Sequence, residues 1–163
     1  MLAFAPVTYF HEDQYFRQSW LWVLIAVPII VVLVVLASAP RVDTVGIAVG
    51  VGAALLVALL LGLARLETEV RDDGVYVHFH GLWPTRRIAL EDIDTYEARR
   101  YTMWDSGGWG VHFTLRGIAY NVSGNEGVVI QLKQGKGGQV LIGSQRPAEL
   151  GVAIAKALAA RRI

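Results

Sequence analysis

The sequence predicts a membrane α-helical hairpin followed by a small all-β or α+β domain of seven or eight short antiparallel strands, closed by one amphipathic C-terminal helix. Three observations carry this expectation. Two apolar runs, Trp20–Ala39 and Thr44–Ala64, contain no ionisable residue. From Leu66 the pattern changes to period-2 alternation punctuated by Gly-rich turns, the signature of half-buried strands. The chain then closes on apolar residues spaced for one helical stripe.

Composition points the same way. Of 163 residues, 54% are apolar and only 18% charged, and the mean hydropathy is +0.43. Such a balance excludes a disordered chain. Fifteen Lys and Arg against 14 Asp and Glu leave a net charge of +1, which argues against a nucleic-acid binder. There is no cysteine, so disulfides, thiol catalysis and Cys-based zinc sites are excluded.

The apolar runs are 20 and 21 residues long, about 30 Å as helices, which is the thickness of a bilayer core. Residues 1–19 are then an N-terminal interfacial segment, 20–64 a two-helix hairpin (20–39 and 44–64), and 65–163 the globular domain. A cleaved signal peptide is the competing reading, because Ala37-Ser38-Ala39 resembles a cleavage site. The long acidic lead with Glu12 and Asp13 opposes it. Arg17, Arg65 and Arg71 against Arg41 at the hairpin tip place both termini and the globular domain in the cytoplasm, with the chain integral to the cell membrane. Trp20 and Trp22 read as an interfacial belt, and Pro28 as a kink. In the second run Gly46, Gly50, Ala54, Ala58 and Gly62 recur every four residues. Such a stripe allows close approach of another backbone. Two readings stay open, packing against the first helix and self-association into a homo-oligomer.

In the globular part, Leu66, Thr68 and Val70 alternate with Glu67, Glu69 and Arg71. Asp72-Asp73-Gly74 is a hairpin turn, and Val75–His80 returns. Further strands are expected at Arg86–Leu90, Ile93–Tyr101, Trp109–Leu115, Ile118–Val122, Gly127–Lys133 and Gln139–Gly143. Pro147 suits the first position of the final helix. Leu150, Ala153, Ile154, Ala157 and Leu158 make its apolar stripe.

Several strings resemble bacterial pleckstrin-homology-like domains: Asp72-Asp73-Gly74-Val75-Tyr76-Val77, Arg86-Arg87-Ile88-Ala89-Leu90-Glu91-Asp92-Ile93, Gly108-Trp109-Gly110, Tyr120-Asn121-Val122-Ser123-Gly124-Asn125 and Val140–Pro147. The lead-in Glu12–Trp22 resembles small prokaryotic membrane proteins that place a two-helix hairpin before such a domain. The resemblance implies a pleckstrin-homology-like barrel; it implies no activity. Phosphoinositide-binding members carry basic residues at the first strand turn, whereas this chain has Arg71-Asp72-Asp73-Gly74 there.

Candidate chemistry is sparse. His78 and His80 share one strand face, and His112 lies on another strand. Three imidazoles suit a metal, but no Cys or clearly placed carboxylate completes the set, so neither metal nor cofactor is expected. Glu91, Asp92 and Asp94 read as a solvated turn, and the glycosylation sequon at Asn121 carries no meaning in a cytoplasmic domain. No nucleophile–base pairing or phosphate loop is visible. The expectation is therefore a non-catalytic binding or scaffolding module that engages lipid headgroups or a protein partner through Arg86, Arg87, Arg99, Arg100 and Trp104. Trp83 and Trp109 are secondary candidates.

Overall fold

The computed structural model describes residues 7–16, 19–38, 44–81, 83–102 and 110–161. The chain divides into two compact units, one built from Met1–Tyr15 with Arg65–Ile163, the other from Phe16–Ala64. The helical unit is thus an insertion between two stretches of a single β-rich unit.

In the β-rich unit, β1 (Thr8–Tyr15), β2 (Arg65–Arg71), β3 (Gly74–His80) and β4 (Trp83–Ala89) form an antiparallel sheet in sequence order. A 3-10 turn at Leu90–Asp92 leads into the second sheet. It contains β5 (Ile93–Arg100), β6 (Gly110–Thr114), β7 (Gly117–Asn121), β8 (Glu126–Leu132) and β9 (Gln139–Gly143) in the order β5-β8-β9-β7-β6. The β7–β9 pairing is parallel. The expected single barrel of seven or eight antiparallel strands is therefore corrected to two sheets of four and five strands among the described residues. The 3-10 turn, with Leu90 buried, separates β4 from β5, and β1 is recruited from the segment expected to lie at an interface.

Alternation builds the first sheet. Leu66, Thr68 and Val70 of β2 and Val75, Val77 and Phe79 of β3 turn inward. The intervening polar residues face outward. The second sheet supplies Val128, Ile130, Val140 and Ile142. Helix α3 (Pro147–Ala160) packs Leu150, Ala153, Ile154 and Ala157 into the core and touches β1, β2, β5 and β8. Each fully buried aliphatic side chain contributes about 1.5–3 kcal/mol relative to exposure.

Strand β1 docks differently, because its inward positions are Phe10, Glu12 and Gln14. The buried carboxyl group of Glu12 accepts hydrogen bonds from Ser144 Oγ at 2.6 Å and from the Gln145 backbone N–H at 3.0 Å. Gln14 Nε2 donates to the Gly143 carbonyl at 2.7 Å. Arg146 Nη2 donates to the His11 carbonyl at 2.7 Å, and its guanidinium lies over the Phe10 ring. These bonds tie the N-terminal strand to the β9–α3 junction.

The helical unit consists of α1 (Ser19–Ser38) and α2 (Thr44–Leu63). Half-buried positions recur at helical spacing: Ile25, Ile29 and Val32 on α1, and Ile47, Val51, Ala54 and Ala58 on α2. A Cβ on Gly62 would lie 3.6 Å from the Trp22 ring, whereas one on Gly50 would meet nothing within 4 Å. Four-residue steps advance about 40° around a helix with 3.6 residues per turn. The small-residue stripe therefore winds off the packed face, so that Ala54 and Ala58 are on it while Gly46 and Gly50 are exposed.

Among the described residues, no helix is long and apolar enough to cross a membrane. This overturns the transmembrane hairpin, the integral-membrane localisation and the orientation drawn from them. The expectation rests on the absence of ionisable residues over 20–39 and 44–64, and an uncharged run is not by itself a span; those runs form α1 (Ser19–Ser38) and α2 (Thr44–Leu63).

Two substitutions test this architecture. Glu12→Ala strips Ser144 Oγ and the Gln145 N–H of their acceptor and is expected to cost about 2–4 kcal/mol, read as a lower urea midpoint at unchanged slope. Gly117→Ala would drive a Cβ into the Gln139 carbonyl oxygen and should force the parallel pair apart. An unchanged midpoint in either variant would contradict the corresponding contact.

Candidate functional site

The outward face of β1–β3 carries a concentration of polar and ionisable side chains, all of them lone-pair donors except the arginines. The antiparallel register sets them in three cross-strand rows. Tyr15, Arg65 and His80 form one, Asp13, Glu67 and His78 the next, and His11, Glu69 and Tyr76 the third. Directly opposite side chains have Cβ atoms about 4.5–5.5 Å apart, so neighbours within and between rows interact.

Glu67 is at the centre. Its Oε2 lies 2.5 Å from His80 Nε2, and its Oε1 lies 3.8 Å from His11 Nδ1. Arg65 Nη2 approaches both His80 Nε2 at 3.0 Å and Glu67 Oε2 at 3.6 Å, while Arg65 Nε lies 3.5 Å from Asp13. His11 contacts Glu69 at 3.1 Å and Asp13 at 3.4 Å. The His78 and His80 rings stack with centroids 3.9 Å apart. The His80 hydrogen bond, helped by the positive charge of Arg65, holds the Glu67 carboxyl below its ordinary pKa against partial desolvation. A hydrogen bond with Tyr15, followed by Asp13 and Glu67, raises Arg65.

Beside this cluster, Glu67, Glu69, Arg71, Tyr76, His78 and Thr85 line an open depression of about 290 Å³. Arg71 is paired with Glu69 and lies over the Tyr76 ring at 4.7 Å. The Tyr76 hydroxyl donates to Asp73 Oδ2 at 2.6 Å. Because ionisation would forfeit that hydrogen bond, and secondarily because of desolvation and the Asp73 charge, the Tyr76 pKa is raised above 10.0.

The other candidates are dispersed. Arg86 and Arg87 are on β4 and Arg99 and Arg100 on β5, in different sheets. Arg87 is paired with Asp73 at 3.2 Å and Arg100 with Glu126 at 2.7 Å. Arg99 Nε is buried without a hydrogen-bond partner among the described residues. Trp104 and Trp109 lie outside the described residues. Trp83 packs edge-on against Phe113. Glu91 pairs with Arg161 and Asp92 with Lys136, so those carboxylates do not converge on one centre. Asn121 is buried, which removes the sequon as an acceptor. His112 is on β6, in the other sheet from His78 and His80.

Sequence reasoning missed Glu67, His11 and Asp13 as companions of His78 and His80. Glu67 showed only as one outward position in an alternating strand. His11 and Asp13 were hidden because Glu12 and Gln14, between and beside them, are inward yet polar, which erases the hydrophobic alternation.

No family model matches the chain, and no match was found among curated proteins or solved structures. The expected membership of two-helix membrane proteins with a pleckstrin-homology-like domain is therefore withdrawn, together with the hairpin that was part of it.

The Tyr76–Asp73 bond gives a measurable titration. A raised folded-state pKa contributes stability in full below the unfolded value, 10.0, and loses it as pH rises through the folded value. Burial also raises Tyr101, so the Tyr76 ring must be followed by its own resonances: it should ionise late in the native protein, and Asp73→Asn should bring it back towards the ordinary range. A Tyr76 that still ionises late in Asp73→Asn would refute the assignment.

Proposed function

We propose that the chain is a non-catalytic binding module whose working surface is the outward face of β1–β3, which offers lone-pair donors to a cationic ligand. The observation that carries this reading is the convergence of Asp13, His11 and His80 on Glu67. Three strands of one sheet supply it, so the donors are held on a rigid support. The groups against His11 and His80 are carboxylates and a guanidinium, which favours binding over nucleophilic chemistry.

The test is a titration of the full chain with zinc chloride, magnesium chloride and a hexalysine peptide, followed by amide resonances. At least one cation should shift β1–β3 selectively, and Glu67→Gln should weaken that response. Silence towards all three, or shifts confined to β5–β9, would refute the reading.

A second reading, self-association of the helical unit, is favoured by one observation. Gly50 and Gly52 have open space where a Cβ would sit, beside exposed Val45, Val49 and Leu56. Exposed apolar surface of this kind marks a contact face. Light scattering should then report an oligomer that Gly50→Leu dissociates while the helical content is kept; a monomeric wild type would dispose of it.

A further inference from the structure

We propose that Glu67, His78 and His80 bind one divalent first-row transition ion of the zinc class, an inference that rests on the cation-binding reading above and names its ligand. The ligand atoms of these three residues lie within 4.8 Å of one another. A tetrahedral ion with ligands at about 2.0–2.2 Å sets them about 3.4 Å apart, so small side-chain rotations close the site. The placement follows from the fold. His78 and His80 are two apart on β3 and share a face, and Glu67 is directly across from His78 on β2.

A second feature points to a cation independently. Two groups converge on the single nitrogen His80 Nε2, the Arg65 guanidinium at 3.0 Å and the Glu67 carboxyl at 2.5 Å. If that nitrogen carries a proton, it donates to Glu67 and faces the Arg65 N–H. If it carries none, it accepts from Arg65 and faces the carboxylate lone pairs. Either tautomer leaves one contact unmatched. A metal ion matches both, because Nε2 and Oε2 then act together as electron-pair donors. Arg65 keeps Asp13 as its alternative partner. Arg65 is thus a built-in competitor for the ion.

Donor type selects the metal. Two imidazole nitrogens and one carboxylate suit zinc and its neighbours, whereas magnesium and calcium prefer all-oxygen sets. Three protein ligands leave a coordination position for solvent. His11 and Asp13 form a second cluster with Glu67 within 4.8 Å. There His11 Nδ1, hydrogen-bonded to Glu69 at 3.1 Å, stands 3.8 Å from the second Glu67 carboxylate oxygen, an ion-pair distance rather than a hydrogen bond.

The experiment uses the full chain, stripped with chelator and titrated with zinc chloride, magnesium chloride and hexalysine. One equivalent of zinc should bind, with the imidazole nitrogens of His78 and His80 shifting in long-range nitrogen–proton spectra of the wild type. Glu67→Gln and His80→Asn should abolish uptake, His112→Ala should leave it unchanged, and Arg65→Gln, which removes a positive charge beside the ion, should raise the affinity about tenfold. Zinc uptake unchanged in Glu67→Gln and His80→Asn overturns the site. Hexalysine binding to β1–β3 without zinc uptake overturns the metal inference and leaves the cation-binding reading standing. Failure of every cation to bind overturns both. The wild-type imidazole shifts decide the matter even if a variant does not fold.

Discussion

Strand β1 comes from before the helical unit, yet it must lie in register against β2, which follows that unit. The group that fixes this is the buried carboxyl of Glu12, held by Ser144 Oγ and the Gln145 N–H. A strand has a side-chain period of two, so a slip of one residue would turn His11 and Asp13 inward and Glu12 out. The hydrophobic term alone does not prevent the slip, because β1 contributes little more than Phe10 to the core. Directional hydrogen bonds to the β9–α3 junction prevent it. Every cross-strand row on the outward face depends on that register.

The outward face and the inward face of the same strands answer to different physics. Inward, Leu66, Val70, Val75, Val77 and Phe79 are each fully buried, and their burial supplies the stability of the first sheet. Outward, Asp13, Glu67 and Glu69 gather negative charge that Arg65 and Arg71 offset. Exposed ion pairs of this kind are worth about 0–1 kcal/mol each. The fold therefore does not depend on the identity of the outward residues, and two imidazoles beside a carboxylate are not needed to hold the sheet.

The sequence revealed strands wherever hydrophobic alternation survives. Leu66, Thr68 and Val70 could be read as one face, and so could Val75, Val77 and Phe79. The C-terminal stripe from Leu150 to Ala157 was equally visible, since its spacing is that of a helix with one buried side. Strand β1 was not legible, because buried Glu12 and Gln14 carry no hydrophobic signal; only their partners 129 to 133 residues away explain them. The parallel β7–β9 pairing was invisible for a related reason. Local pattern gives the strands, but the close backbone approach at Gly117 that permits the pairing is a property of two segments together. In the helical unit, counting every fourth residue exaggerated the stripe. The 40° drift per step takes Gly46 and Gly50 off the face that Ala54 and Ala58 share.

The candidate site shows the same limit. His78 and His80 were visible as a same-face pair, and His112 was the natural third member by residue type. Register replaces it with Glu67, whose Cα is paired with that of His78, and the docking of β1 adds His11 and Asp13. A ligand set drawn from three strands is an outcome of pairing, so no single stretch of sequence announces it. That origin also gives it precision. The backbone ladder fixes the spacing of the donors before any ligand arrives, and only side-chain rotation remains to be ordered on binding, which keeps the entropic cost of capture low.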